Sequence, residues 1–496
     1  MSRDRLDRLI GAAPAAAPAL FDRTRTLSHG ELDQAVSAVA AAIAGRIQPG
    51  DRVALFLPKS LEAVIALFAV LRAGGVAVPI NPLLKGPQIA HILEDSGAAL
   101  LLTHRPRLAL LEPPSSLPVL TLEADWETLL ATPATRFDAP GGEALAALLY
   151  TSGSTGRPKG VMVTHANLLL GAEAVAAYLG TTAEDRVLAV LPLSFDFGLS
   201  QLTTAFLAGA SVILLDYLTP RDVPAAVARY GATQLAAVPP LWSQLVGLDW
   251  PPAGTLTTLS ASGGRMPLPT VRALRRRFPA ARLHLMYGLT EAFRSTTLPP
   301  ELVDAHPDSI GRAIPGAEVL VVRPDGSETD AGEPGELVHC GPLVTKGYWR
   351  DGARTAERFR PAPPCSRFGG TAVWSGDTVM RDAAGLHYFI GRNDEMIKTM
   401  GTRVSPTEVE EVAMASGLVA AAVALGVPDP DSGALIRLLV VPAPGAGPAL
   451  ADALTAHFRR SAPAYMLPAE IRILEELPLG PNGKIDRARL RAEAAA

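Results

Sequence analysis

Residues 148–165, LLYTSGSTGRPKGVMVTH, run from an apolar strand into a loop of Ser, Thr and Gly, pass through Pro158-Lys159-Gly160 and return to an apolar stretch. Such a loop suits a polyphosphate. Gly153, Gly156 and Gly160 let the backbone turn tightly and bring N–H groups close to an anion, while Thr151, Ser152, Ser154 and Thr155 add hydroxyl donors and Lys159 a positive charge. The spacing departs from the common phosphate loop GxxxxGK[ST]. Lys159 follows a proline and precedes a glycine, so no Ser or Thr stands behind it to hold Mg²⁺, which disfavours an ordinary P-loop NTPase. The flanking apolar runs disfavour a plain Ser/Gly linker.

Outward from this loop, strand-like and helix-like segments alternate. Ser28 with Glu31 three residues on reads as the capped start of a helix reaching Ile43. Strand Arg52–Leu57, helix Leu61–Arg72, strand Val76–Pro79, helix Pro87–Asp95 and strand Ala99–Thr103 follow. Beyond a surface connection at 131–142, the alternation resumes with Arg186–Leu191, Leu199–Ala208, Ser211–Leu215, Val223–Tyr230 and Gln234–Val238. This pattern predicts parallel, doubly wound α/β sheets. From about 311 to 390 the texture changes to short strands broken by turns such as Pro324-Asp325-Gly326, predicting a β-rich subdomain, and a compact α/β piece follows Gly391.

The 496 residues allow two or more domains. A net charge of −4, with Arg275-Arg276-Arg277 the only basic run, gives no sign of a nucleic-acid partner. That run reads as a solvated helix face. Cys340 and Cys365 stand far apart without metal-ligand spacing, which fits a reducing cytoplasm. The start, MSRDRLDRLIGAAPAAAPAL, lacks a signal-like apolar core, and the longest apolar window, Ala63 to Leu71, is too short to span a bilayer. The expectation is a cytoplasmic protein without membrane insertion.

Further motifs follow in order: Ser262-Gly263-Gly264, Tyr287-Gly288-Leu289-Thr290-Glu291, Ser375-Gly376-Asp377, Gly391-Arg392-Asn393-Asp394 with Ile397-Lys398, and Pro481-Asn482-Gly483-Lys484-Ile485-Asp486. With the 148–165 loop, this series resembles the adenylate-forming superfamily: AMP-forming acyl-CoA synthetases, adenylation domains of nonribosomal peptide synthetases, and luciferases. The resemblance spans about 28 to 487. It implies a large N-terminal domain (1–390), a hinge (391–398) centred on Asp394, and a small mobile C-terminal domain (399–496). It implies an AMP-forming ligase that joins a carboxylic acid to AMP from MgATP and passes the acyl group to the phosphopantetheine thiol of CoA or of a carrier protein acting in trans.

The resemblance also assigns roles. Glu291 is implied as the Mg²⁺ ligand, suiting a hard cation that prefers oxygen, and Thr290 as a contact of the α-phosphate. Tyr287, Gly288, Gly263 and Gly264 correspond to the adenine pocket, and Asp377 and Arg392 to the ribose grip. Lys484, on a tight Pro/Gly turn, is implied to bridge substrate carboxylate and α-phosphate as the transition state forms. Rotation about Asp394 would then withdraw Lys484 and bring in the loop from Lys398 to Arg403, where Gly401 admits a phosphopantetheine arm. A non-catalytic nucleotide-binding homologue would be signalled by loss of Lys159, Glu291, Asp377 or Lys484, and all four are present. Nothing supports a luciferase-like oxygenase.

The acyl pocket is less legible. Members taking fatty or aromatic acids often carry Phe-His-x-x-Gly after the Leu-Pro-Leu strand; here stands Phe195-Asp196-Phe197-Gly198. Asp196 falls where amino-acid-activating domains hold an aspartate against the substrate amine. A buried carboxylate needs a cation or N–H donors, and these are the substrate amine, backbone amides, Arg265 or Arg294. Either arginine has a second reading, recognition of an acidic group on the substrate. An amino acid and a fatty or other plain acid therefore both remain as substrates. Phe195–Gly198 and Glu291-Ala292-Phe293-Arg294-Ser295 are most similar to acyl-CoA ligases associated with bacterial exosortase and exopolysaccharide loci.

Overall fold

The helix read from Ser28 begins where its cap dictates. Ser28 accepts the Glu31 amide and the Glu31 carboxylate accepts the Ser28 amide, starting helix His29–Ala44. Helix Leu61–Arg72 starts on Ser60, which accepts the Ala63 amide, and its apolar length packs against His29–Ala44 in the largest core cluster. The computed structural model describes residues 5–109, 111, 116–135, 141–152, 158–250, 254–392, 395–399, 402–429 and 433–495.

Among these residues, one sheet has six strands in the order Val119–Thr121, Leu100–Thr103, Arg52–Phe56, Val76–Pro79, Leu145–Ser152, Pro158–Thr164. All neighbours are parallel except the last pair. A second sheet contains parallel strands Pro18–Phe21, Ser211–Leu214, Arg186–Ala189, Gln234–Ala237, Thr258–Ala261 and Arg282–Tyr287. Lys59, just past Arg52–Phe56, donates to the Ala189 carbonyl at 2.8 Å and so ties the first sheet to the second.

The β-rich region continues the second sheet. After Tyr287 the chain reverses, and Thr296–Leu298 and Ser309–Ala313 carry the ladder antiparallel into His387–Arg392, Thr371–Arg381, Pro334–Cys340 and Glu318–Val322. Asp377 and Arg392 stand opposite each other in this ladder. The small C-terminal domain has its own three-stranded sheet, Val419–Asp429, Gly433–Pro442 and Glu470–Ile473, packed under helices Pro406–Ala415 and Leu450–Ser461 around Val409, Leu438, Leu454 and Phe458. The chain is thus α/β with a large N-terminal and a small C-terminal domain. Among the described residues, no helix is long and apolar enough to cross a membrane.

Candidate active site

The Ser/Thr/Gly-rich loop joins antiparallel strands Leu145–Ser152 and Pro158–Thr164, whose last described pairs are Thr151 with Lys159 and Ser152 with Pro158. Gly153, Ser154, Thr155 and Gly156 lie outside the described residues. The Thr151 hydroxyl is buried with no hydrogen-bond partner, a donor held back from water at the mouth of that loop. Lys159 reaches the Glu291 carboxylate at 3.4 Å and donates to the Tyr348 hydroxyl at 2.7 Å, and Tyr348 donates to Glu291 at 2.6 Å. Burial alone would raise the Glu291 carboxyl, but Lys159 and Tyr348 outweigh it and hold it below the ordinary carboxylate range. Burial lowers the Lys159 ammonium, and Glu291 opposes that.

Tyr287, at the end of strand Arg282–Tyr287, donates to Asp377 at 2.5 Å, and Arg392 lies 3.7 Å from the other Asp377 oxygen. Burial first, and the Asp377 charge second, keep the Tyr287 phenol protonated far above its usual pKa. Gly263 sits at φ 88°, and a Cβ there would come 2.8 Å from Lys484 Cε. Gly264 lies alongside Pro239, and at Gly288 a Cβ would meet the Phe293 carbonyl at 2.9 Å. Thr290 and Glu291 form the 3₁₀ turn Thr290–Ala292 after that glycine.

Lys484 crosses from the small domain into this site. Its turn closes through Gly483 N–H to the Gly480 carbonyl, at 2.9 Å, with Gly483 at φ 73°. Asn81 of the large domain donates to the Pro481 carbonyl and to the Asn482 side chain, both at 2.9 Å. The Lys484 ammonium stands 4.8 Å from the centroid of the Phe195 ring. Burial lowers its pKa, against the opposing charges of Asp196 and Glu291. Asp394 and Gly401 lie outside the described residues, as do the side chains of Lys398 and Arg403.

Asp196 opens helix Asp196–Ala208, which begins three residues before the Leu199 start read from sequence. It is buried and 3.9 Å from the Arg294 guanidinium, and burial pushes its carboxyl up against the opposing pull of Arg294 and Lys484. Arg265 instead pairs with Glu411 of helix Pro406–Ala415, across the domain junction. Tyr348 and Asn81 were not anticipated. Tyr348 follows Gly347, at φ 102°, and its only sequence signal was the Gly347-Tyr348-Trp349 run.

Among the described residues no group of three or more His, Cys, Asp or Glu could hold a metal alone. A single carboxylate, Glu291, beside buried hydroxyls fits a metal that arrives with oxygen ligands of its own, as Mg²⁺ does on a nucleotide. Lys159, Tyr348 and Glu291 beside the Ser/Thr/Gly-rich loop, together with a lysine reaching in from a second domain, mark a site between two domains. The chain belongs to the AMP-binding enzyme family, matching it over 8–349, with the AMP-binding enzyme C-terminal domain over 408–484. It is 34% identical to novobiocin biosynthesis protein H of Streptomyces niveus, over 98% of this chain and 81% of that protein. The anthranilate CoA ligase AuaEII, solved with anthranoyl-AMP, superposes with TM-score 0.91 at 25% identity, over 100% of this chain and 98% of that one. The o-succinylbenzoate CoA synthetase of Bacillus subtilis, solved with ATP and magnesium ion, gives 0.83 at 26% identity, over 98% and 99%. The protein is an AMP-forming acid–thiol ligase that uses ATP and Mg²⁺.

Proposed function

We propose that the residues gathered around Lys484 carry out both half-reactions on a small carboxylic acid. In the first, an oxygen of the substrate carboxylate attacks the α-phosphorus of ATP, the bond to the bridging oxygen of pyrophosphate breaks, and acyl-adenylate forms. Lys484 holds the carboxylate and α-phosphate together and stabilises the charge that builds between them. Thr151 to Gly156 and Lys159 hold the outer phosphates, Thr290 the α-phosphate, Tyr287, Gly288, Gly263 and Gly264 the adenine, and Asp377 with Arg392 the ribose. Glu291 would hold Mg²⁺, which when bound would supply charge neutralisation on the phosphates. In the second, a phosphopantetheine thiol gives up its proton and attacks the acyl carbon, and AMP leaves with the bonding pair. The exchange of roles turns on residues 391–398, with Asp394 as pivot between 1–390 and 399–496.

The observation that supports this most is the reach of Lys484 into the large domain, against Gly263 and Phe195, with its turn held by Asn81. CoA and a carrier protein in trans present the same thiol arm, and the acceptor is read as either. The pairing of Asp196 with Arg294 supports an acid without an amine over an amino acid, since the carboxylate already faces a cation. Asp196→Asn should then harm activation of every acid alike, whereas an amine-binding Asp196 would lose only amino acids. The decisive test is ATP–pyrophosphate exchange across amino, fatty, aryl and dicarboxylic acids. No exchange with any acid class would remove the ligase reading for these residues.

A further inference from the structure

Arg294 is the most deeply committed charge in the acyl region. Its side chain is 2% exposed, yet its contact with Asp196 is 3.9 Å, at the limit of an ion pair and beyond a hydrogen bond. Its Nε and Nη2 have no hydrogen-bond partner within 3.5 Å, and the Tyr178 hydroxyl, on the same cavity wall, is the polar group beside the guanidinium. The guanidinium stacks near the rings of Phe197 and Phe293, at 4.8 and 5.4 Å from their centroids, which steadies its plane but satisfies no N–H. A buried guanidinium left with unmade hydrogen bonds costs folding free energy, so its retention needs an explanation.

The backbone goes to unusual lengths to aim it. Phe293 sits at φ 59°, ψ −67°, and the Arg294 amide donates to the Ala292 carbonyl at 2.7 Å. This is the rare positive-φ γ-turn, strained for a phenylalanine. It turns Arg294 inward to the wall of a narrow, partly open cavity. Phe197, Ser200, Gln201, Thr204 and Met286 line the same cavity, and there the Gln201 carbonyl oxygen and the Thr204 hydroxyl are likewise buried without partners. The guanidinium edge and the Thr204 hydroxyl are donors for an anion, whereas the Gln201 side-chain oxygen, whose amide nitrogen donates to the Ala236 carbonyl, is an acceptor and faces the polar group without bonding an anion. Asp196 does not neutralise this surface, because the same carboxylate also faces Lys484. Asp196 is thus divided between two buried cations, of which Lys484 also faces Glu291.

We propose that this cavity receives the end of the substrate remote from the reacting carboxyl, and that Arg294 binds a second carboxylate there, with the Thr204 hydroxyl as a further donor. The substrate class is a dicarboxylic acid, activated at one end and read at the other. This rests on the ligase reading above. A guanidinium offers two parallel N–H donors to a carboxylate, and Nε with Nη2, the unpaired atoms here, form one such edge.

The experiment compares ATP–pyrophosphate exchange by the full-length enzyme on matched acids, each dicarboxylic acid against its monomethyl ester and against the monocarboxylic acid of equal length. The expected result is a preference for a diacid of at least about 100-fold in kcat/KM over both partners, since a buried site built for a polar group rejects analogues that lack it. That comparison needs no variant. In Arg294→Met the preference should collapse to within about tenfold, and Arg294→Lys should restore part of it. A wild-type enzyme that uses the monocarboxylic acid or the ester as well as every diacid overturns the proposal while leaving the ligase reading intact. So does an Arg294→Met enzyme that keeps the wild-type preference. Absence of exchange with any acid overturns the ligase reading itself.

Discussion

Arg265 and Glu411 meet in an ion pair across the junction of the two domains, one on the Gly263-Gly264 turn and the other on helix Pro406–Ala415. Their side chains are 24% and 41% exposed, so water screens the pair. It favours the domain orientation in which Lys484 lies in the site. Glu411→Gln and Arg265→Ala should each slow adenylate formation by roughly 2–5-fold, and the double variant should lose no more than either alone, a coupling of about 0.5–1 kcal/mol. Single-turnover pyrophosphate release in the four-membered cycle measures this. Strictly additive losses would show that the pair does not bias the domain.

Lys484→Ala should slow adenylate formation by about 10²–10³-fold, the usual loss for one preorganised charge-stabilising group. Thioester formation from a supplied acyl-adenylate should persist, because in the proposed cycle Lys484 serves the first step alone. Equal loss in both half-reactions would show that the substitution damages the fold or that the small domain does not move.

Gly171 lies inside helix His165–Leu179, where alanine normally gains about 1 kcal/mol. Here an added Cβ would stand 2.3 Å from the Phe293 ring, which is buried and fixed by its left-handed backbone. The overlap wins: Gly171→Ala should destabilise by about 1–3 kcal/mol, read as a lower urea midpoint. Adding Phe293→Leu should recover part of that loss. Two independent, summed losses would mean the ring is not the obstacle.

Lys59 gives a pH dependence of defined sign. Burial pulls its ammonium down from 10.5 to about 7, against the weaker pull of Asp216. Between those values the unfolded chain holds the proton and the native chain releases it, so this group makes the fold more stable as pH rises from about 7 towards 10. Lys59→Met should flatten that rise in urea midpoints taken at pH 7 and pH 9. An unchanged rise would assign it to other groups.

The parts of the site proposed to bind a nucleotide are legible as motifs because each is a short run with its own backbone requirement. The Gly263 turn needs φ 88°, and the Lys484 turn needs Gly483 at φ 73°. Contacts made across long sequence distance carry no such local mark. Tyr348 completes the Lys159–Glu291 cluster from a loop nearly two hundred residues past Lys159, and nothing in spacing pairs them. Helix Asp196–Ala208 starts three residues ahead of the Leu199 start read from the sequence: a Cβ on Gly198 would fall 1.9 Å from the Pro192 carbonyl, so the glycine records a close approach of chains inside the first turn of the helix. Phe293 was opaque altogether, since a phenylalanine gives no hint of a left-handed backbone.

Asp377 and Arg392 form opposite members of one rung in a ladder that runs unbroken into the parallel strands of the large domain. In the proposed rotation, displacement of the small domain would begin beyond that rung, with Arg392 as the fixed housing of the bearing and the chain after it as the moving arm. Fixing the bearing at the proposed sugar grip means that the arm can sweep Lys484 through a wide arc while the nucleotide is still held by residues that do not travel.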